Sequence, residues 1–436
     1  MPKVGGFGGW VWVSLSVIFV VSTYSDISRF LNPDGEKYMP GYFVGGQIDF
    51  SYPYLGARAL VARQNPYTTH DPEFIHPIFG IEEVNGKVYH QLYPPGHLLT
   101  YVPLTLFYGK DVVGAGRFFF HFSLGCLVGL GFLIWRLLKV SPDEDVSPFF
   151  VFVAITCLLF QPGTQLGLER GQNDVFSALL CWTAIFLVTR GRHGWAVFLA
   201  VWAANIKAYP VLFTAGICLT MLRPGIWRRA LFGAACGLAL FLLPAVGSIR
   251  DGLQGTLHRS NMFSETDWYN HGFKNLIYHS ISLQAADSGR AILTAISLVV
   301  AALWGWRLWQ QRAAGRSSPA ILTLILFGLA SLLPLIGYSS MSISYNLILI
   351  LPGFILLAAS QDRLVEVLRF GRVGRHVLGA TITAGGFALF LARRGAFPLA
   401  ALGLVILLGA LAVLGIRMPS FPKPTPIAQP EPQLTA

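Results

Sequence analysis

The chain has 436 residues, 54% of them hydrophobic and only 12% charged, against roughly 25% charged in ordinary soluble domains. That composition excludes a water-soluble globular protein, and length priors of two or three soluble domains do not apply. The net charge of +11 does not indicate nucleic acid, because the basic residues fall in short clusters between apolar runs.

A helix needs about 20 apolar residues to cross a bilayer. Runs approaching that length lie at 10–31, 113–138, 148–162, 173–190, 194–209, 211–222, 227–246, 291–309, 319–338, 345–361, 376–392 and 396–416. They predict an all-α polytopic bundle of about 12 transmembrane helices, forming one domain over 1–416. The first run is long enough to span and lacks a following small-residue cleavage site, so it reads as an anchor. Residues 57–63 suit an interfacial amphipathic helix with Arg58 and Arg63 toward headgroups. Residues 97–108 are apolar but too short to span, and Pro103 interrupts them, so they read as an interfacial helix. The stretch 194–222 is divided at Pro210 and reads either as one bent crossing or as a re-entrant pair. The tail 417–436 is Pro-rich and is expected to be disordered. Cys126, Cys157, Cys181, Cys218 and Cys236 all sit inside apolar runs with no metal-ligand spacing, which marks them as small packing residues.

The Lys and Arg distribution sets the orientation. With the N-terminus inside, short cytoplasmic loops collect Arg136, Arg190, Arg192, Arg228, Arg229, Arg307, Arg369, Arg372 and Arg417, as the positive-inside rule requires. Arg393-Arg394 is an exception, falling outside. This topology puts the polar segments 32–112 and 247–290 on one extracytoplasmic side and the tail in the cytoplasm. The expected location is the inner (plasma) membrane, crossed many times.

Several polar clusters stand out against this background. Asp49, in Gln47-Ile48-Asp49-Phe50, lies in aromatic company after the first span. A carboxylate there serves as a general base if it reaches a hydroxyl, or as a helix cap, and the two roles are compatible. Asn65-Pro66-Tyr67 ends a helix. Tyr93-Pro94-Pro95-Gly96-His97 is a shape element, its prolines ruling out regular helix at that point; His97 reads as a simple hydrogen-bonded ring. Arg170-Gly171-Gln172-Asn173-Asp174 opens a span; Gly171 allows close backbone approach and the amides offer donors and acceptors for sugar hydroxyls, unless Asn173 or Asp174 only caps. Lys207, in Asn205-Ile206-Lys207-Ala208-Tyr209-Pro210, lies in an apolar run and needs either an anionic partner or a snorkelling path to water. The stretch 258–275 mixes aromatic rings with Arg259, His271 and Lys274, and 338–352 opens a later span with Ser344, Tyr345 and Asn346.

In this order the motifs resemble the GT-C-fold glycosyltransferases, specifically the polyprenol-phosphate-mannose-dependent mannosyltransferases of glycosyltransferase family 87. The matching pieces are Asp49-Phe50, Ala57 to Leu60, Asn65-Pro66-Tyr67, Tyr93-Pro94-Pro95, Gly171-Gln172-Asn173 and Ile206-Lys207-Ala208-Tyr209-Pro210. The resemblance covers roughly 10–360. It implies a lipid-linked sugar donor, a lipid or glycan acceptor, an extracytoplasmic site and an inverting displacement with Asp49 as base. Lys207, with Arg170, Lys274 or Arg259, would hold the donor phosphate; Gln172, Asn173, Tyr209, His271 and Tyr345 would contact sugar or acceptor. Relatives tend to carry Trp-x-His-Tyr before a late span, and Ser344 stands here in place of the His. No cofactor or metal is expected, since there is no P-loop, Rossmann or acidic-cluster signature. A transporter or lipid flippase, or a pentofuranosyl (arabinose-type) transferase of the same fold, are the alternatives.

Overall fold

A computed structural model describes residues 48–69, 71–74, 82–84, 87–89, 93–138, 156, 158–159, 161–221, 225–242, 247–252, 272–310, 318–338, 344–369, 371–390 and 399–417. The expected first span, most of 148–162, Arg259, His271, Arg393-Arg394 and the Pro-rich tail lie outside them.

The described chain is helical apart from one small hairpin. Helix α1 is Ile48–Val61, followed by the antiparallel strands β1 (Glu82–Val84) and β2 (Lys87–Tyr89). Then come α2 (Pro95–Tyr108), α3 (Val112–Leu138), α4 (Pro162–Arg170), α5 (Asp174–Thr189), α6 (His193–Ile206), α7 (Val211–Thr220) and α8 (Trp227–Leu242). The remainder is α9 (Phe273–Ser280), α10 (Leu283–Gln310), α11 (Ser318–Tyr338), a 3-10 segment (Ser344–Leu349), α12 (Leu351–Ala359), α13 (Gln361–Val367), α14 (Arg372–Phe390) and α15 (Leu399–Arg417).

Three of these are long and apolar enough to cross a membrane: Val112–Leu138, Gln284–Gln310 and Ile321–Tyr338. The 14- to 17-residue apolar helices Asp174–Thr189, His193–Ile206 and Ala401–Arg417 are shorter, about 21–26 Å at 1.5 Å per residue. The expectation for 194–222 resolves into two helices packed on each other. Thr214 Oγ1 donates to the Ala200 carbonyl at 2.8 Å, which places α7 alongside the second half of α6. A bent single crossing is thereby excluded. The ten residues of α7 reach about 15 Å, half a bilayer core.

Other expectations change for local reasons. Pro94 is the extended cap of α2 and Pro95 opens the helix, where a missing N–H costs nothing. The double proline therefore starts a helix. Pro103 lies inside α2 without breaking it. The α1 helix begins at Ile48, earlier than the predicted 57–63 segment, and most of it is buried, with Val61 at its end exposed. Phe50, Tyr54 and Ala57 pack with Tyr101, Ala115 and Phe119, while Tyr52 packs with Tyr67, Tyr93 and Leu98. Arg58 sits over the Phe74 ring at 5.4 Å and 3.6 Å from Glu73, so its first partners are protein groups. The segment 247–290, read as a loop, ends in α9 and the first turns of α10. The predicted span 345–361 divides into the 3-10 segment and α12, with Pro352 in the first turn of α12.

The main core is one apolar cluster drawn from α3, α5, α6, α11, α12 and α15, including Ile134, Trp182, Ala200, Leu326, Leu356 and Leu411. Its indole donors are satisfied by backbone: Trp182 bonds Leu349 O at 2.9 Å and Trp304 bonds Leu411 O at 3.0 Å. Helices α6 and α8 approach closely because a Cβ at Gly233 would strike the Gly194 carbonyl and one at Gly237 would meet Val201. Gly233 and Gly237 have the four-residue spacing of a membrane helix-packing seam.

Candidate functional site

The site gathers at one end of this bundle, around the turn between α4 and α5. Helix α4 starts when Gln161 Oε1 accepts from the Thr164 N–H at 2.7 Å. It stops at Gly171, which adopts φ +70°. The Gly171 N–H bonds Leu168 O at 3.2 Å and the Gln172 N–H bonds Gly167 O at 2.8 Å. This pair of bonds is a Schellman stop, which calls for a left-handed residue and hence glycine. Gly171 thus supplies the turn that points residues 170 to 174 in different directions.

Arg170, Gln172, Asn173 and Asp174 each hold a distant segment. Arg170 forms a two-toothed ion pair with Asp49: Nε contacts Oδ2 and Nη2 donates to Oδ1 at 3.1 Å. Asp49 sits in the first turn of α1 and its side chain is 7% exposed, whereas Arg170 is 37% exposed. Gln172 Oε1 accepts from Lys207 Nζ at 2.9 Å. Asp174 Oδ2 lies 3.2 Å from the same ammonium. The Asn173 amide nitrogen stands 3.3 and 3.4 Å from the two ring nitrogens of His97. The Lys207 side chain is 12% exposed and Asp174 1%; a buried ammonium of this kind requires a charged or strongly polar partner.

An aromatic wall borders the ions. Tyr93 stacks on His97 with centroids 4.0 Å apart, and Lys207 Nζ lies 6.0 Å from the Tyr93 ring centre. The Asn65-Pro66-Tyr67 motif supports that wall. Asn65 Oδ1 accepts from the Tyr67 N–H at 3.0 Å, its amide donates to Asp251 at 2.9 Å, and the Tyr67 hydroxyl donates to the Tyr93 carbonyl at 2.8 Å. Burial, with the charges of Tyr52 and Asp251 adding, pushes the Tyr67 phenol well above its ordinary range, so it stays a donor.

The structure therefore brings together Asp49, Arg170, Gln172, Asn173 and Lys207. It adds two residues, Asp174, which the sequence marks only as a possible cap, and His97, read as a simple hydrogen-bonded ring. Tyr209 lies just beyond Lys207, where its hydroxyl accepts from Asn346 Nδ2 at 3.0 Å. Tyr345 belongs to the 3-10 segment beside it. Arg170, expected at a donor phosphate, takes Asp49 as its partner. Lys274 pairs with Asp287 at 2.8 Å at the start of α10. A partner for Lys207 was legible as a necessity, but nothing local identified Asp174, which is 33 positions away. Among the described residues no group of three His, Cys, Asp or Glu side chains could hold a metal.

Further cations lie at the other ends of α5 and α6. Arg190 and Arg192 flank the α5–α6 turn, and Gly194 packs on the Arg229 carbonyl at the start of α8. Arg307 Nε donates to Gly415 O at 3.2 Å near Arg417. Arg190 sits over Phe186, Arg228 over Trp227 and Arg136 over Phe132.

Apolar helices of membrane-spanning length mark a membrane protein, and a buried ionic cluster at one end of them is a candidate functional site. The family profile of glycosyltransferase family 87 matches residues 91–336, more than half of the chain, and the chain belongs to that family. The match takes in Tyr93 to His97, the 170–174 turn and Lys207; Asp49 precedes it. No curated protein matches the chain.

Proposed function

We propose that this glycosyltransferase moves a sugar, mannose, from a polyprenyl-phosphate donor to a hydroxyl of a lipid or glycan acceptor on the extracytoplasmic face of the plasma membrane. The observation that carries the reading is the convergence at one bundle end of a buried, oriented carboxylate, Asp49, with a buried ammonium, Lys207. A carboxylate has about four acceptor sites, so two bonds from Arg170 orient Asp49 without exhausting it. It takes the proton of the acceptor hydroxyl, whose oxygen attacks the anomeric carbon. The bond from that carbon to the phosphate oxygen breaks on the opposite face, and the configuration inverts. The departing phosphate gains negative charge, and Lys207 stabilises it. An ammonium has three N–H donors; Gln172 and Asp174 aim it and lower the cost of burying it. A phosphate leaves without a general acid, so one carboxylate suffices, unlike the pair used in glycoside hydrolysis.

The extracytoplasmic placement is supported by the clustered arginines at the helix ends away from this site, which mark the cytoplasmic side, and by their partner aromatics, which suit an interface. The remainder of a GT-C bundle of about 12 crossings includes segments outside the described residues.

The test uses purified full-length protein in detergent with a polyprenyl-phosphate mannose donor and a lipid acceptor. Transfer with inversion at the anomeric carbon is expected without any ion or voltage gradient. Uptake or lipid movement in vesicles, with no transfer in detergent, would instead favour a transporter or flippase.

A further inference from the structure

Helix α6 ends with an unusual need. Its last intrahelical bond runs from the Lys207 N–H to Ala203 O at 3.0 Å. Lys207 itself is extended, with φ −135° and ψ 144°. The carbonyls of the last turn therefore have no donor within the helix. For Ile206 the residue four positions on is Pro210, which has no N–H and whose ring would strike that carbonyl if the helix continued. The donor comes from 109 positions away: His97 Nδ1 lies 2.9 Å from Ile206 O. A carbonyl only accepts, so Nδ1 carries the hydrogen.

The approach is built in. Gly96 lies against the same turn so closely that a Cβ there would sit 2.5 Å from Asn205 Cβ and 2.9 Å from Asn205 O. His97 is 1% exposed. Tyr93 stacks on its ring, and the Asn173 amide rests equally far from both ring nitrogens. The imidazole is thus fixed by its neighbours before it bonds the carbonyl.

We propose that His97 is a positioning residue for Lys207. The Ile206 carbonyl and the Lys207 N and Cα share one rigid peptide plane. Holding that carbonyl fixes the direction in which the lysine side chain leaves the backbone, at the point where the helix has just released it. Gln172 and Asp174 then hold the far end of the same side chain. His97 anchors its root, and the coupling explains why a Pro-Gly-His turn and an Ile-Lys-x-Tyr-Pro turn occur in one chain. The proposal rests on the reading of Lys207 as the ligand of the donor phosphate.

The experiment measures the dissociation constant of a polyprenyl-phosphate mannose donor, and kcat, for purified full-length variants in detergent. His97→Leu removes the donor to Ile206. His97→Asn keeps an N–H near the Nδ1 position, while His97→Gln carries its amide farther out. His97→Leu and His97→Gln are expected to weaken donor binding about tenfold or more, as for a buried polar group that loses its partner, with His97→Asn restoring most of it. In the double variant His97→Leu with Lys207→Ala, donor binding is expected to match Lys207→Ala alone, because His97 acts through the lysine. Independent, additive losses would overturn the positioning role, as would equal behaviour of the Asn and Gln variants. Unchanged donor binding in Lys207→Ala alone would overturn the phosphate reading and this proposal with it. A loss in Lys207→Ala without one in His97→Leu would overturn the positioning role only. Should His97→Leu not fold, the contrast between Asn and Gln carries the test.

Discussion

On the proposed reading, Asp49→Asn separates chemistry from architecture at a single oxygen. The amide keeps the shape of the carboxylate and one acceptor for Arg170, but it takes no proton. The structural cost follows from exposure. Removing one partner of a fully buried ion pair costs about 3–5 kcal/mol, and an exposed pair is worth about 0–1 kcal/mol. Asp49 is 7% exposed, but Arg170 is 37% exposed and can draw on water, so roughly 1–2 kcal/mol is expected. The variant should fold. The chemical cost is larger: loss of a general base slows the reaction about 10²- to 10⁴-fold, equivalent to about 3–5 kcal/mol of barrier. Turnover from a polyprenyl-phosphate mannose donor should fall by that factor, with donor affinity nearly intact and only a modest drop in the unfolding midpoint. A purely structural ion pair makes a different pattern, in which Arg170→Gln and Asp49→Asn lose activity equally and in step with stability. A well-folded Asp49→Asn enzyme with turnover within about threefold of the parent would remove Asp49 from the chemistry.

Asp174→Asn leaves the Lys207 ammonium buried without its carboxylate, and should lower stability by about 3–5 kcal/mol in thermal unfolding; an unchanged midpoint would mean that water reaches the lysine. Gly171→Ala forces a side chain into the φ +70° turn, at a cost of about 1–2 kcal/mol. Because the Schellman stop aims both Arg170 and Gln172, its turnover should fall more than its stability, and normal turnover would show that the turn tolerates another geometry. For topology, single cysteines at Lys110 and Arg192 are placed in a background lacking the five native cysteines. An impermeant thiol reagent should label position 110 in intact cells and position 192 only after lysis; the reverse labelling would invert the orientation and move the site to the cytoplasmic side.

The long spans were legible because apolar runs without punctuation leave few alternatives. The expected 113–138 and 319–338 correspond closely to α3 and α11, and 291–309 lies within α10. Errors arose where a residue's usual local effect was overridden. The double proline signals a stretch without regular helix, yet Pro94 caps α2 and Pro95 lies in its first turn. Helix α4 was not foreseen because Gln165, Glu169 and Arg170 interrupt its hydropathy; its start depends on the Gln161 cap and its end on Gly171. The early start of α1 was hidden because Phe50, Tyr52 and Tyr54 have no helical apolar stripe. They face two different aromatic clusters, so alternate residues are buried for different reasons.

The site residues were legible as types but not as pairs. Asp49 and Arg170 lie 121 positions apart, and Lys207 and Gln172 lie 35 apart, distances over which hydropathy and turn chemistry carry no information. The pairing alters what the motifs are for. Asn65-Pro66-Tyr67 secures the Tyr93 carbonyl, Gly96-His97 secures the last turn of α6, and the 170–174 turn reaches α1, α2 and the residue after α6. Most motif residues therefore hold one another, and on the proposed reading Asp49 and Lys207 are the two whose chemistry acts on the substrates. This division fits an enzyme whose donor arrives with its lipid tail in the bilayer. The spans only need to be apolar and long, whereas the catalytic geometry depends on where the helices stop. Helix boundaries are set by Gly171, Pro94-Pro95 and Pro210, so small changes at those turns should disturb the reaction more than larger apolar exchanges at the outward-facing positions Phe132 of α3 and Val299 of α10, which are exposed.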